Sequence, residues 1–168
     1  TCDMPRLGKD ITITATGNPT WNQNSSSDIY GSLRYASGMT TSNTNTLTFS
    51  GRGTHAITSN GMTFVNTPTF NGPGGTYTLQ DALTTNNTIT LTSGTLNTNS
   101  MTVRSFTFSS AGALTRSLVL GASTWNLTAT AGTFWNVAAT GFTVSAASST
   151  IVIINASARP RIFATRTN

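Results

Sequence analysis

Apolar and polar residues alternate in short runs along most of the chain. Thr46-Leu47-Thr48-Phe49, Thr76-Tyr77-Thr78-Leu79 and Thr88-Ile89-Thr90-Leu91 alternate strictly. Met101-Thr102-Val103-Arg104 and Phe142-Thr143-Val144-Ser145 do so in the opposite phase. A period of two is the mark of a strand with one buried side. Leu47, Phe49, Tyr77, Leu79, Ile89, Leu91, Met101, Val103, Phe142 and Val144 are therefore expected to point inward, with the threonines outward. Turn formers separate the runs: Ser50-Gly51, Asn60-Gly61, the Asn71–Gly75 segment, Asn86-Asn87, Ser93-Gly94 and Ala111-Gly112. No window has the periodicity of an amphipathic helix, and Asp81–Thr84 supplies one helical turn at most.

The runs also repeat. TITLTSGTLNTNSMTV at 88–103 aligns with TWNLTATAGTFWNVAATGFTV at 124–144, placing Leu91 on Leu127, Gly94 on Gly132 and Val103 on Val144. The offset grows slightly along the alignment, as inserted residues require. A third copy begins at Thr46, and Ile13–Asn22 matches Leu127–Asn136. Such self-similarity implies one supersecondary unit stacked many times. A repeat of that length holds several short strands, which implies two coils per repeat. The fold expected is all-β, a right-handed parallel β-helix with irregular coils. The alternative is an antiparallel β-sandwich or jelly roll, which needs hairpin spacing and no repetition. Residues 1–45 are expected to form an irregular or degenerate-coil region. Residues 46–157 form the repeat, and 158–168 a basic tail or the start of a further coil.

Composition narrows the function. Thr, Ser and Asn make up 71 of the 168 residues, charged residues are 8%, Glu is absent and Lys9 is the only lysine. The excess of β-branched threonine and the shortage of helix formers suit a thin, long β core. The net charge of +5 arises from nine basic residues against four aspartates. Arg159, Arg161 and Arg166 crowd the C-terminal end. They are either an interface for an acidic partner or a solvated tail. No tryptophan is interleaved with them, which argues against nucleic acid. Cys2 is the only cysteine, so no internal disulfide forms. No apolar run approaches the ~20 residues of a membrane helix, so membrane insertion is not expected. The chain shows no signal peptide and begins at Thr1. A processed product or a piece of a longer chain is expected, and repeats already running at Ile11 favour the second.

TITLTSGTLNTNSMTV and Ser117–Thr128 (SLVLGASTWNLT), followed by Gly132-Thr133-Phe134-Trp135, resemble repeats of Thr/Ser/Asn-rich β-helix proteins of bacteriophages and environmental bacteria. The similarity covers roughly 46–154. The resemblance implies a place in a tail fibre, capsid decoration or other virion appendage, or in a secreted adhesive surface protein, with a homotrimer as the common arrangement. It implies no catalytic residues.

The candidate chemistry is sparse. The acids are Asp3, Asp10, Asp28 and Asp81, three of them ahead of the clear repeats, and His55 is the only histidine. Paired carboxylates for glycan cleavage, a Ser-His-Asp triad and a zinc site all lack parts. No catalytic, metal or cofactor residue is assigned, and no cofactor is expected. The sequons at Asn24, Asn86, Asn126 and Asn155 are what chance gives in a chain so rich in Asn and Thr. Trp21 and Trp135 are candidates for glycan stacking, although their matching repeat positions favour core packing. Threonine pairs at 12/14, 46/48, 76/78, 88/90 and 128/130 would each present two hydroxyls, as ice-binding β-helices do. Their steps are irregular, since Thr76 to Thr88 is far shorter than Thr46 to Thr76 or Thr88 to Thr128, and this argues against an aligned array.

The function expected is therefore a non-enzymatic structural protein of a virion appendage, capsid decoration or extracellular surface assembly. It would work by rigid ladder stacking and surface adhesion, located on the virion or cell surface. Expected partners are further copies of itself, other virion or surface proteins, or a surface glycan. The alternative is a carbohydrate-binding or -cleaving tail-spike-like module, with an ice-binding protein as a minor alternative.

Overall fold

In the computed structural model the described residues are 6–14, 17–42, 44–138, 140–154 and 161–164, with backbone alone for 6, 7 and 161–164. Twenty strands form in this order: β1 (Arg6–Leu7), β2 (Ile11–Thr12), β3 (Thr20–Asn22), β4 (Ser27–Ile29), β5 (Leu33–Arg34), β6 (Thr40–Ser42), β7 (Thr46–Phe49), β8 (Thr54–Thr58), β9 (Thr63–Phe64), β10 (Thr67–Leu79), β11 (Leu83–Thr85), β12 (Ile89–Asn97), β13 (Val103–Ser105), β14 (Phe108–Ser110), β15 (Arg116–Val119), β16 (Thr124–Leu127), β17 (Thr133–Val137), β18 (Phe142–Ser145), β19 (Thr150–Ile153) and β20 (Arg161–Ala164). Every pairing among them is parallel. The protein is a parallel β-solenoid.

Each coil contributes to three faces. The first face runs β1, β4, β7, the start of β10, the start of β12, β14, β17, β20. The second runs β2, β5, β8, the end of β10, the end of β12, β15, β18. The third holds β9, β11, β13, β16 and β19, and β3 pairs with β6 beside it. Thr48 pairs with Thr69 and Thr69 with Thr90, two equal steps along the chain. The step from Thr90 to Ser109 is slightly shorter, and the step from Ser109 to Asn136 is distinctly longer. Within 1–45, β1–β6 join the same stack, and Arg161 opens β20 against β17.

Inward side chains form one core. Leu47, Phe49, Tyr77, Leu79, Ile89, Leu91 and Val103 are all buried, as their alternation requires. Phe49 stacks on Phe70 with ring centroids 5.0 Å apart and planes at 12°. Met101 and Phe142 are half-buried. Val144 departs from expectation. It occupies an inward rung above Leu118, yet is 54% exposed, because no described strand lies on β18.

The repeat alignment needs correction. Leu91 lies on the first face beside Phe70, whereas Leu127 lies on the third beside Ser105. Both are fully buried, but they are not equivalent. Val103 is on the third face and Val144 on the second. Trp21 is on the β3–β6 pair and Trp135 on the first face. Two whole coils carry Thr90 through Ser109 to Asn136, well past Leu127. The sequence similarity therefore spans less than two coils, and aligned positions fall on different faces.

Corners explain several turn residues by geometry alone. Asn60 and Gly61 have φ of 49° and 78°, the left-handed conformation of the turn expected there. At Gly94, with φ 79°, an added Cβ would run into the carbonyl oxygen of Gly72 on the coil beneath. Asn45, Asn66 and Asn87 stack at the corner between third and first faces. Asn66 Nδ2 donates to Gln23 Oε1 (2.8 Å), and Asn87 Nδ2 donates to Val65 O (2.6 Å). The Asn87 amide satisfies a corner carbonyl that no ladder reaches.

Candidate functional site

The first face brings together a set of side chains that sequence spacing had scattered. On β7 the outward residues are Thr46 and Thr48. On β10 they are Thr67 and Thr69, flanking inward Pro68. Thr88 precedes β12 and Thr90 lies within it. Thr107 precedes β14 and Ser109 lies within it. Register aligns Thr46 with Thr67, and Thr48 with Thr69, Thr90 and Ser109 in one row. Thr88 Oγ1 and Thr107 Oγ1 are 2.7 Å apart, completing the other row. All eight side chains are half-exposed.

The five pairs named from the sequence do not form one array, yet a regular array with other members exists. Thr76 and Thr78 belong to the second face, Thr128 follows β16 on the third, and Thr12 lies in β2 on the second. The true partners, Thr67/Thr69 and Thr107/Ser109, were passed over. Pro68 interrupts one motif's hydrophobic alternation, and a serine replaces threonine in the other. The signal that finds them is the equal step that carries 46/48 to 67/69 and 67/69 to 88/90.

Asp28 ends one row below Thr48, and Asn136 ends it above Ser109. The second face carries a similar but mixed pattern. One outward row is Thr54, Thr76, Thr95, Ser117, Thr143. The neighbouring row is Ala56, Thr78, Asn97, Val119, Ser145, where only Thr78 and Ser145 carry hydroxyls.

Asp10, Asp81 and His55 serve corners. Asp81 accepts from the Ser59 amide (2.7 Å) and the Asn60 amide (2.6 Å), capping the Asn60-Gly61 turn. Asp10 Oδ1 accepts from the Ser32 amide (2.7 Å). That bond holds its carboxyl below the ordinary range, helped by Lys9 and His55 nearby. His55 Nε2 accepts from the Gly53 amide (3.2 Å), with its ring 5.0 Å from Tyr77. The Tyr77 hydroxyl accepts from Gly51 N (2.8 Å) and donates to Ile29 O (3.2 Å). Burial pushes its pKa up to about 12. Asp10, Asp28 and Asp81 lie on different strands and corners, and Asp3 lies outside the described residues. Among the described residues no group of three His, Cys, Asp or Glu side chains could hold a metal ion.

Arg116 is a buried cation that sequence reasoning did not single out. It is 1% exposed and faces the core. Its Nε donates to Ser110 Oγ (2.6 Å). Nη1 donates to Leu114 O and Thr140 O (2.7 Å each), and Nη2 to Ser110 O (2.7 Å) and Ala138 O (2.9 Å). The guanidinium lies 5.5 Å from the Phe142 ring centroid. Burial lowers its pKa.

Trp135 is 7% exposed and packs 4.3 Å from Phe108 and 5.2 Å from Trp125, centroid to centroid, which is core geometry rather than a stacking platform. Trp21 is half-buried, tilted against Tyr35 at 6.1 Å. The indole Nε1 of Trp21 and the hydroxyl of Tyr35 are buried without a partner among the described residues. Arg159 and Arg166 lie outside the described residues. Arg161 is placed by its backbone at the start of β20.

No family model, curated protein or solved structure matches this chain.

Proposed function

We propose that the chain is a non-enzymatic structural segment of a virion appendage, capsid decoration or extracellular surface assembly. It acts as a rigid rod whose hydroxyl-rich exterior adheres to a partner surface. The observation that carries this reading is the division of labour in the coils. Backbone ladders and an apolar column fill the inside, while threonine, serine and asparagine line the outside in register. Such a stack resists bending and proteolysis because each coil is held along its length by its neighbours. Asp10, Asp81 and His55 are engaged by backbone amides at the corners, which leaves the exterior hydroxyls as the repeated chemical feature.

Self-association is part of the same proposal. β18 and β19 present free strand edges among the described residues, and the inward Val144 and Ile151 beside them are 54% and 39% exposed. Free edges flanked by apolar side chains favour addition of another strand. The carbohydrate-cleaving alternative draws no support from Trp135, which is in the core. The test is twofold. Electron microscopy and light scattering should find fibres or defined oligomers, weakened when Arg159, Arg161 and Arg166 are changed together to Ser. Incubation with bacterial surface polysaccharides should yield no new reducing ends or unsaturated uronates. A monomer under all conditions, or cleavage abolished by Asp81→Asn or Asp28→Asn, would overturn the proposal.

A further inference from the structure

We propose that the outward side of the first face binds the ordered water lattice of ice. This inference stands apart from the assembly proposed above, since it depends only on one face of the stack.

The ligand is suggested by the two-dimensional order of the face. Thr46/Thr48, Thr67/Thr69, Thr88/Thr90 and Thr107/Ser109 form two rows across four successive coils. Residues two apart on a strand are separated by about 6.6 Å, and neighbouring parallel strands by about 4.8 Å. The eight backbone positions therefore fall on a nearly rectangular grid, and both of its repeats lie close to those of the oxygen positions on a prism face of hexagonal ice; at one pair, Thr88 and Thr107, the hydroxyls lean together to 2.7 Å. The register is unbroken through the grid. The shifts in the β10–β12 ladder begin at Phe70/Asn71, beyond the last grid residue.

A lattice is recognised only by a surface that holds its own spacing, and the face has stiff backing. Leu47, Pro68, Ile89 and Phe108 stand beneath the grid between its rows, all buried, and the stacked rings of Phe49 and Phe70 lie beside them. Threonine itself is stiff at χ1, so its hydroxyl and methyl are placed before the ligand arrives, and little side-chain freedom is lost on binding. No charged side chain lies within the grid; Asp28 bounds one end. An ionised group would keep a hydration shell that does not match the lattice.

A glycan fits this face less well. Saccharide sites use an aromatic platform or a few converging polar groups in a concavity. The grid exposes no ring, and its hydroxyls are spread over two rows rather than gathered in a concavity. Only a ligand that repeats in two dimensions engages all eight alike. The second face supplies an internal comparison, since Ala56, Asn97 and Val119 break its second hydroxyl row.

The experiment is ice-affinity partitioning together with thermal hysteresis on the full chain, with circular dichroism to verify that each variant is folded. The wild-type chain should concentrate in slowly grown ice and produce faceted crystals with a measurable freezing hysteresis. Thr69→Tyr, in the middle of the grid, should lose most of the enrichment and the hysteresis. Thr78→Tyr, the same change on the second face, should leave both as they were. If Thr69→Tyr does not fold, Thr90→Lys takes its place with the same expected loss. A folded wild-type chain excluded from ice would overturn the proposal. So would equal effects from the two faces, or pelleting with crystalline cellulose or chitin by a chain that ice excludes.

Discussion

The coils of β7 to β13 and the coil of β17 to β19 are built on the same three faces but turn their corners differently. In the first group the inward column of the first face is apolar from coil to coil, Phe49, Phe70 and Leu91, continuing from Ile29 of β4. Nearly equal coil lengths keep its outward threonines in rows. At β14 that column meets Ser110, whose hydroxyl donates to Leu91 O (2.9 Å) and accepts from Arg116. In β10 and β12 the first and second faces follow one another within a single strand, whereas an open corner separates β7 from β8, β14 from β15 and β17 from β18. The stretch between β16 and β17 is also longer than that between β13 and β14, so the coil lengthens. Open corners bring carbonyls inside that no ladder satisfies. Arg116 donates to Leu114 O, Thr140 O and Ala138 O, and adds a second donor to Ser110 O, with a single planar, multi-donor group. The outward grid ends where this change occurs, as Asn136 and not threonine follows Ser109. Regular outer chemistry thus accompanies constant coil length, and a solenoid that widens must find new donors for its interior.

The largest effect is expected where the two regions meet. Trp125 packs 5.0 Å from Phe108 and donates its indole N–H to Ser105 Oγ (2.9 Å). Trp125→Ala should cost about 3–5 kcal/mol in chemical unfolding, and it should separate the melting of the two regions. Arg116→Met should cost somewhat less, on the order of 3 kcal/mol, because Leu114 O, Thr140 O and Ala138 O lose the guanidinium donor, while Ser110 O keeps the Ala138 amide. Its signature is regional. Amide exchange should accelerate in β15, β17 and β18 while β7 to β12 stay protected. Uniform acceleration would contradict the division into two regions.

Tyr77 probes the first region from within. Tyr77→Phe orphans Gly51 N, while Ile29 O keeps the Ser50 amide (2.8 Å), and should cost about 1–3 kcal/mol. The phenol's folded pKa, about 12, lies above its ordinary 10.0. Its stabilisation is therefore complete below pH 10 and fades as pH rises toward 12. Melting curves across that window should steepen their decline in the wild type relative to Tyr77→Phe.

The alternation of Thr46–Phe49, Thr76–Leu79 and Thr88–Leu91 made strands and their buried sides legible, because period two needs no tertiary information. The solenoid was legible from repetition. What the sequence concealed was which face each strand joins. Leu91 and Leu127 look alike in their local setting, yet the coil lengthens between them, and the later copy lands on another face. The threonine grid was hidden for the same reason, since Thr76 and Thr128 read as its members and Thr67 did not. Arg116 was invisible as a core residue, as its role rests on two corner loops that meet only when neighbouring coils stack.

The smallest effect belongs to the grid itself. Thr69→Ala should change stability by no more than about 0.5 kcal/mol, since the side chain is outward and its backbone bonds remain. A larger loss would mean that the rows hold the coils together rather than serve the exterior.

The parallel register of Thr48, Thr69, Thr90 and Ser109 is tested most directly by NMR contacts between backbone protons of neighbouring strands. The solenoid requires Thr69 to lie beside Thr48 on one side and Thr90 on the other, and Tyr77 beside His55 and Leu96. Contacts joining Thr67–Phe70 to Thr76–Leu79 as an antiparallel hairpin across Asn71–Gly75 would contradict it.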